Sequence, residues 1–124
     1  MEVIDTFAWI EYFAGTGRGA RARTYIESGD ALTPAIVLAE FTDKYVREGI
    51  DPGERLKFIR TKTAIVSLDD ETAEVAGRIS ALRRTKVKGW GIVDSCILAV
   101  ANIRGLRVVT GDAHFADLGN TIMI

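Results

Sequence analysis

Ile92-Val93-Asp94-Ser95-Cys96-Ile97-Leu98-Ala99-Val100-Ala101-Asn102-Ile103-Arg104-Gly105-Leu106-Arg107-Val108-Val109-Thr110 is the stretch that decides the fold. From Ile92 to Arg104 the apolar residues cover almost every face, the pattern of a helix buried all round. Gly105 supplies the C-terminal cap for such a helix. Leu106 to Thr110 then reads as a short strand rich in β-branched residues. A buried helix that passes through one glycine into a buried strand points to a sheet covered by helices.

The same alternation extends in both directions. Val3-Ile4 is a short strand, and Thr6 to Phe13 a helix ended by Gly15 and Gly17. Arg18 to Ser28 forms a second helix closed by Gly29, and Ala31-Leu32-Thr33 a second strand. Thr33-Pro34 opens a helix from Ala35 to Glu48, with Thr33 as cap and Pro34 in the first turn. Asp51-Pro52 repeats that signal for a helix through Arg60, and Ala64-Ile65-Val66 is the third strand. Asp69-Asp70-Glu71 puts negative charge at the start of a helix that reaches Arg83 and Arg84. Thr121 to Ile124 closes the chain as an edge strand. Strands separated by helices predict an α/β fold with a mostly parallel central sheet.

At 124 residues the chain fits one domain, residues 1–124, with a core that needs no staples. A hydrophobic fraction of 48% with 27% charged residues excludes a disordered or fibrous chain. The net charge of −1 predicts no general grip on nucleic acid or anionic membrane, so such a partner needs a local patch. The single Cys96 excludes an intramolecular disulfide and a multi-cysteine metal site, and as part of the apolar helix it reads as a small core residue. No apolar run is long enough to span a bilayer, and no basic segment precedes the first apolar residues. The expected location is the cytoplasm.

Four carboxylates stand in positions that ask for a reason. Asp5 follows the first strand and Asp112 follows the strand ending at Thr110. In an open parallel sheet the carboxyl ends of strands share one edge, where ligands bind. Each also has a local reading as a cap or turn residue. Asp94 stacks with Ile97, Leu98 and Ala101 on a buried helix, where an unpaired carboxylate is costly, although a first-turn position also serves the helix N-terminus. Glu40 either pairs with Lys44 one turn on or belongs to the same sheet edge. Convergence of three or four such groups would demand a divalent cation between them, and hard cations such as Mg²⁺ take oxygen ligands while leaving room for phosphate oxygens.

These residues fall in motifs that resemble a known family. Val3-Ile4-Asp5-Thr6-Phe7, Leu38-Ala39-Glu40, Ile92-Val93-Asp94-Ser95 and Val108-Val109-Thr110-Gly111-Asp112-Ala113-His114-Phe115 occur in the order found in PIN-domain ribonucleases. Within that family the chain resembles the VapC-type toxins of toxin–antitoxin pairs, over essentially its whole length. The resemblance implies a three-layer sandwich, a metal site at Asp5, Glu40, Asp94 and Asp112, and supporting hydrogen bonds from Thr6 and Thr110. It implies a Mg²⁺- or Mn²⁺-dependent endoribonuclease, a homodimer, an RNA substrate and a cognate antitoxin. The alternative is a catalytically silent PIN-like module that binds RNA or protein. A phosphatase of the haloacid dehalogenase type is a poor fit, because its chemistry uses Asp-x-Asp and Phe7 stands two residues past Asp5.

Other residues admit two readings. His114 is a metal ligand, a proton carrier or a loop residue, and Asp117 is an outer-site acid or a solvated turn residue. The run Arg83-Arg84-Thr85-Lys86-Val87-Lys88-Gly89-Trp90 is either a solvated loop whose Trp90 plugs the core or an RNA contact. In the second case Lys86 and Lys88 meet phosphates and Trp90 stacks a base.

Overall fold

A computed structural model describes residues 1–124. The strands are β1 (Glu2–Ile4), β2 (Leu32–Pro34), β3 (Ala64–Val66), β4 (Arg107–Thr110) and β5 (Thr121–Met123). The helices are α1 (Thr6–Ala14), α2 (Gly17–Ile26), α3 (Ala35–Arg47), α4 (Gly53–Lys62), α5 (Asp70–Arg83) and α6 (Ile92–Arg104), with a 3₁₀ turn at Ala113–Phe115. The five strands form one sheet in the order β3-β2-β1-β4-β5, and every neighbouring pair is parallel.

This order dictates where a site can form. The chain steps outward from β1 to β2 to β3, then returns past β1 to lay down β4 and β5. With right-handed crossovers, that reversal puts helices on both faces. It also opens a crevice between β1 and β4 at their carboxyl ends. The register pairs Ile4 with Val109, so the residues just beyond each strand, Asp5 and the turn after Thr110, face one another.

Helix α6 carries the core. Every residue from Ser95 to Ala101 is buried, as an all-round apolar helix requires. Ile97, Leu98, Val100 and Ala101 join Val3, Ile4, Trp9, Phe41, Val108 and Phe115 in the main cluster. Ala76 on α5 meets Cys96 and Ala99 in a second cluster of small side chains, consistent with Cys96 as a core residue. Trp9 and Phe13 on α1 stack with centroids 5.6 Å apart, and Phe41 and Tyr45 on α3 at 4.3 Å. No helix is long and apolar enough to cross a membrane.

Thr33 corrects one expectation. It lies within β2 and does not cap α3, whose N-cap residue is Pro34 with no side-chain hydrogen bond. The proline holds its predecessor in extended backbone. The Thr33 hydroxyl is meanwhile engaged elsewhere, accepting from Trp9 Nε1 at 3.1 Å and sharing a 2.7 Å hydrogen bond with Thr63.

Candidate active site

Asp5 follows β1 and caps α1, with Oδ1 accepting from the Thr6 backbone N–H at 2.7 Å. Its other oxygen accepts from the Thr110 hydroxyl on β4 at 2.6 Å. Thr110 Oγ1 in turn accepts from the Asp112 backbone N–H at 3.0 Å. Thr6 bridges two acids, because its hydroxyl donates to Glu40 Oε1 on α3 at 2.5 Å. Asp94, in the first turn of α6, accepts from the Gly91 N–H at 3.3 Å, and Asp112 accepts from the His114 N–H at 2.9 Å. Capping and clustering are therefore not alternatives here; three aspartates do both.

Glycine makes this approach feasible. A Cβ at Gly111 would lie 2.3 Å from the Phe7 ring, so only glycine lets the turn after β4 close against α1. That contact was legible only as a Thr-Gly-Asp turn.

The electrostatics join all four acids. Burial pushes the Asp5 carboxyl up to about 7, opposed by the hydrogen bond from Thr110 and reinforced by the charges of Glu40 and Asp94. Burial also raises Glu40, with Asp94 and Asp112 adding to the effect, and burial raises Asp94 with Asp112 beside it. No lysine or arginine lies within ion-pair distance of Asp5, Glu40, Asp94 or Asp112. The Glu40–Lys44 pair does not form, because Lys44 holds Glu48 at 2.7 Å. Asp112 has the chain's one histidine beside it, with His114 Nδ1 3.1 Å from Oδ1. One ligand atom each from Asp94, Asp112 and His114 lies within 4.8 Å of the others. This donor set fits a divalent cation: carboxylate oxygens dominate, crowded together, and His114 and the more distant Arg83 only partly offset the charge at Asp94.

The basic segment divides in two. Lys86 and Lys88 stay exposed on the turn between α5 and α6. Trp90 does not: it is 3% exposed, donates to Ser95 Oγ at 2.7 Å and packs on Phe115. A base cannot stack on a ring already enclosed by the core. Arg83 is likewise absent from the solvated run. Its guanidinium covers the Trp90 ring at 4.1 Å, forks onto both Asp117 oxygens at 2.9 and 3.1 Å, and donates to the His114 carbonyl at 2.8 Å. Asp117 thus belongs to the Arg83 clamp and is held below the usual carboxylate range by it. Sequence reading missed the clamp because its partners lie 31 and 34 residues apart.

Asp5 is buried, and Glu40, Asp94 and Asp112 are half-buried. The surface hollows are elsewhere, one of about 410 Å³ along Tyr12, Phe13, Thr16, Gly19 and Arg23 and another of about 530 Å³ along Leu38, Thr42 and Val46.

The chain belongs to the PIN-domain family, whose profile matches residues 3–120. Its fold is shared with a toxin–antitoxin complex from Klebsiella pneumoniae, at TM-score 0.79 and 17% identity, covering 99% of this chain and 97% of the other. It is shared equally with VapC20 of Mycobacterium tuberculosis, described as a sarcin–ricin loop cleaving toxin. There the TM-score is 0.78 at 21% identity, over 100% of this chain and 98% of the other. A DNA-bound VapBC complex from Salmonella typhimurium aligns at TM-score 0.73 and 21% identity, over 100% and 98%. No curated protein matches the chain in sequence.

Proposed function

We propose that this protein is a divalent-metal-dependent endoribonuclease acting as the toxin of a toxin–antitoxin pair. The observation that supports the reading is the acid cluster at the carboxyl ends of β1 and β4. Asp94 and Asp112 come within ligand reach of one another and of His114, Asp5 and Glu40 interact electrostatically with the cluster, and no lysine or arginine reaches ion-pair distance of the four. A structural cluster of this kind would be destabilising, whereas a cation site needs it.

Asp5, Glu40, Asp94 and Asp112 would hold Mg²⁺ or Mn²⁺. A bound ion of this kind supplies an activated water and neutralises charge on the phosphodiester oxygens. Thr110 and Thr6 orient the Asp5 and Glu40 carboxylates through their hydroxyl and backbone donors. Lys86 and Lys88, exposed on the turn before α6, would offer cations to the phosphates of a polymer that reaches the half-buried acids. An antitoxin would restrain the activity by covering the acidic edge, with a basic side chain pairing the carboxylates. A homodimer in the cytoplasm is the expected working form.

The test is cleavage of loop-containing RNA by the purified protein, free of partner, with Mg²⁺ or Mn²⁺. EDTA should abolish cleavage, and Asp94→Asn should slow it by orders of magnitude while leaving the fold intact. Cleavage that survives both would overturn the mechanism. Expression alone should slow growth, and the Asp94→Asn variant should not.

A further inference from the structure

His114 sits where a loop histidine has no need to be fixed, yet three contacts fix it. Its backbone N–H donates to Asp112 Oδ1 at 2.9 Å, with Asp112 as the cap of the 3₁₀ turn. Its carbonyl accepts from Arg83, whose guanidinium is itself clamped between Trp90 and Asp117. Its ring lies against Gly89, where a Cβ would stand 3.0 Å from Nε2. Gly89 has φ +86°, so glycine is required there by conformation as well as by space.

The held ring turns Nδ1 toward the acids. Nδ1 is 3.1 Å from Asp112 Oδ1, which also accepts the His114 backbone N–H at 2.9 Å, so a protonated ring would pair with this acid. When Nδ1 carries no proton, it and Oδ1 stand at the separation of neighbouring ligands on one cation. Asp94 completes the trio within 4.8 Å.

We propose that His114 is a ligand of the divalent ion through Nδ1, making the site a mixed oxygen–nitrogen centre that takes Mn²⁺ in preference to Mg²⁺. The inference rests on the metal-dependent reading of the acid cluster. Mg²⁺ demands hard oxygen donors and gives up water reluctantly, whereas imidazole nitrogen suits first-row transition ions. A nitrogen donor beside carboxylates therefore shifts the preference without closing the site to Mg²⁺.

Because His114 is the only histidine in the chain, a nitrogen signal from bound Mn²⁺ has a single imidazole source. The experiment uses protein carrying no added histidines, titrated with Mn²⁺ and with Mg²⁺ and read by calorimetry, with pulsed electron paramagnetic resonance on the Mn²⁺-loaded form. The wild type should bind Mn²⁺ more tightly and show coupling to a directly bonded ¹⁴N. His114→Ala should lose that coupling and weaken Mn²⁺ binding about tenfold to a hundredfold, with Mg²⁺ binding little changed. His114→Asp should bind both ions without the nitrogen signal and with a narrowed Mn²⁺ preference. Mn²⁺ bound by the wild type without nitrogen coupling, or His114→Ala with undiminished Mn²⁺ affinity, overturns this assignment and leaves the acid-cluster reading standing. A wild type that binds neither ion overturns both.

Discussion

Helix α1 takes part in two buried polar clusters that solve the problem of burial in opposite ways. In the first, Trp9 Nε1 donates to Thr33, Thr33 shares its hydrogen bond with Thr63, and Thr63 Oγ1 donates to the Ile59 carbonyl at 3.0 Å. Each donor has an acceptor and no atom is charged. In the second, Asp5, Glu40, Asp94 and Asp112 supply only acceptors when ionised, and the donors facing them are two hydroxyls and a few backbone N–H groups. A closed neutral chain stabilises a fold; an acid cluster short of positive charge stores a need for one. The contrast separates the part of α1 that holds the molecule together from the part that waits for a ligand.

The largest effect that tests this contrast is the response of the acid cluster to pH and metal. Asp5 has a folded-state pKa of about 7 against a model-peptide value near 3.8, and Glu40 and Asp94 are also raised. Between those values the folded protein holds more protons than the unfolded chain. Stability in EDTA should therefore increase as pH falls from 7 toward 5, by about 1.4 kcal/mol per pH unit for each extra proton fully held. Mg²⁺ at a hundred times its dissociation constant should add about 2.7 kcal/mol at pH 7. Asp5→Asn should melt higher than wild type in EDTA at pH 7 and gain less from Mg²⁺. An Asp5→Asn variant that melts lower, with a wild type indifferent to Mg²⁺, would reduce Asp5 to a helix cap.

A smaller effect probes the closed chain. Thr33→Val keeps the shape of the side chain but strands the buried Trp9 N–H, which should cost about 2 kcal/mol in denaturant unfolding. Thr33→Ser restores the hydroxyl and should recover most of it. Neither variant should alter Mn²⁺ affinity. If Thr33→Val weakens metal binding as strongly as it weakens the fold, the two clusters are coupled and the division of α1 is wrong.

The smallest effect lies outside both. Lys86→Ala and Lys88→Ala should weaken RNA binding by a few-fold each and flatten its salt dependence, as loss of one phosphate contact does. Melting temperature should be unmoved, since both side chains are exposed. Filter binding over a salt series measures this, and an unchanged salt slope removes these lysines from the RNA path.

Sequence pattern carried most of the architecture because local signals coincide with element ends. Gly15 and Gly105 adopt left-handed backbone where helices α1 and α6 stop, and Asp69 caps α5 through the Thr72 N–H. The acid positions were legible for the same reason: strand ends and a first helical turn place side chains predictably relative to the sheet. What stayed hidden depends on partners distant in the chain. Thr33 reads locally as a cap until Trp9 and Thr63 claim its oxygen. Arg83 reads as a solvated cation until Asp117 engages it, and Trp90 reads as core plug or base-stacking ring until Phe115 decides for the core. Glu40 reads locally as a partner for Lys44 or as an acid of the sheet edge, and only the Thr6 hydroxyl, 34 residues earlier, tells the two apart.

The hydrogen bond from Thr110 to Asp5 joins residues 105 positions apart. A contact of such long sequence separation is slow to reward the chain, because loop closure precedes any gain from it. During synthesis the amino-terminal strand leaves the ribosome early and must wait for β4 before the crevice exists. A nascent or prematurely terminated product ending before Asp112 lacks that aspartate, His114 and the turn that carries them. Under the proposed activity, such a product carries an incomplete acid cluster and is unarmed.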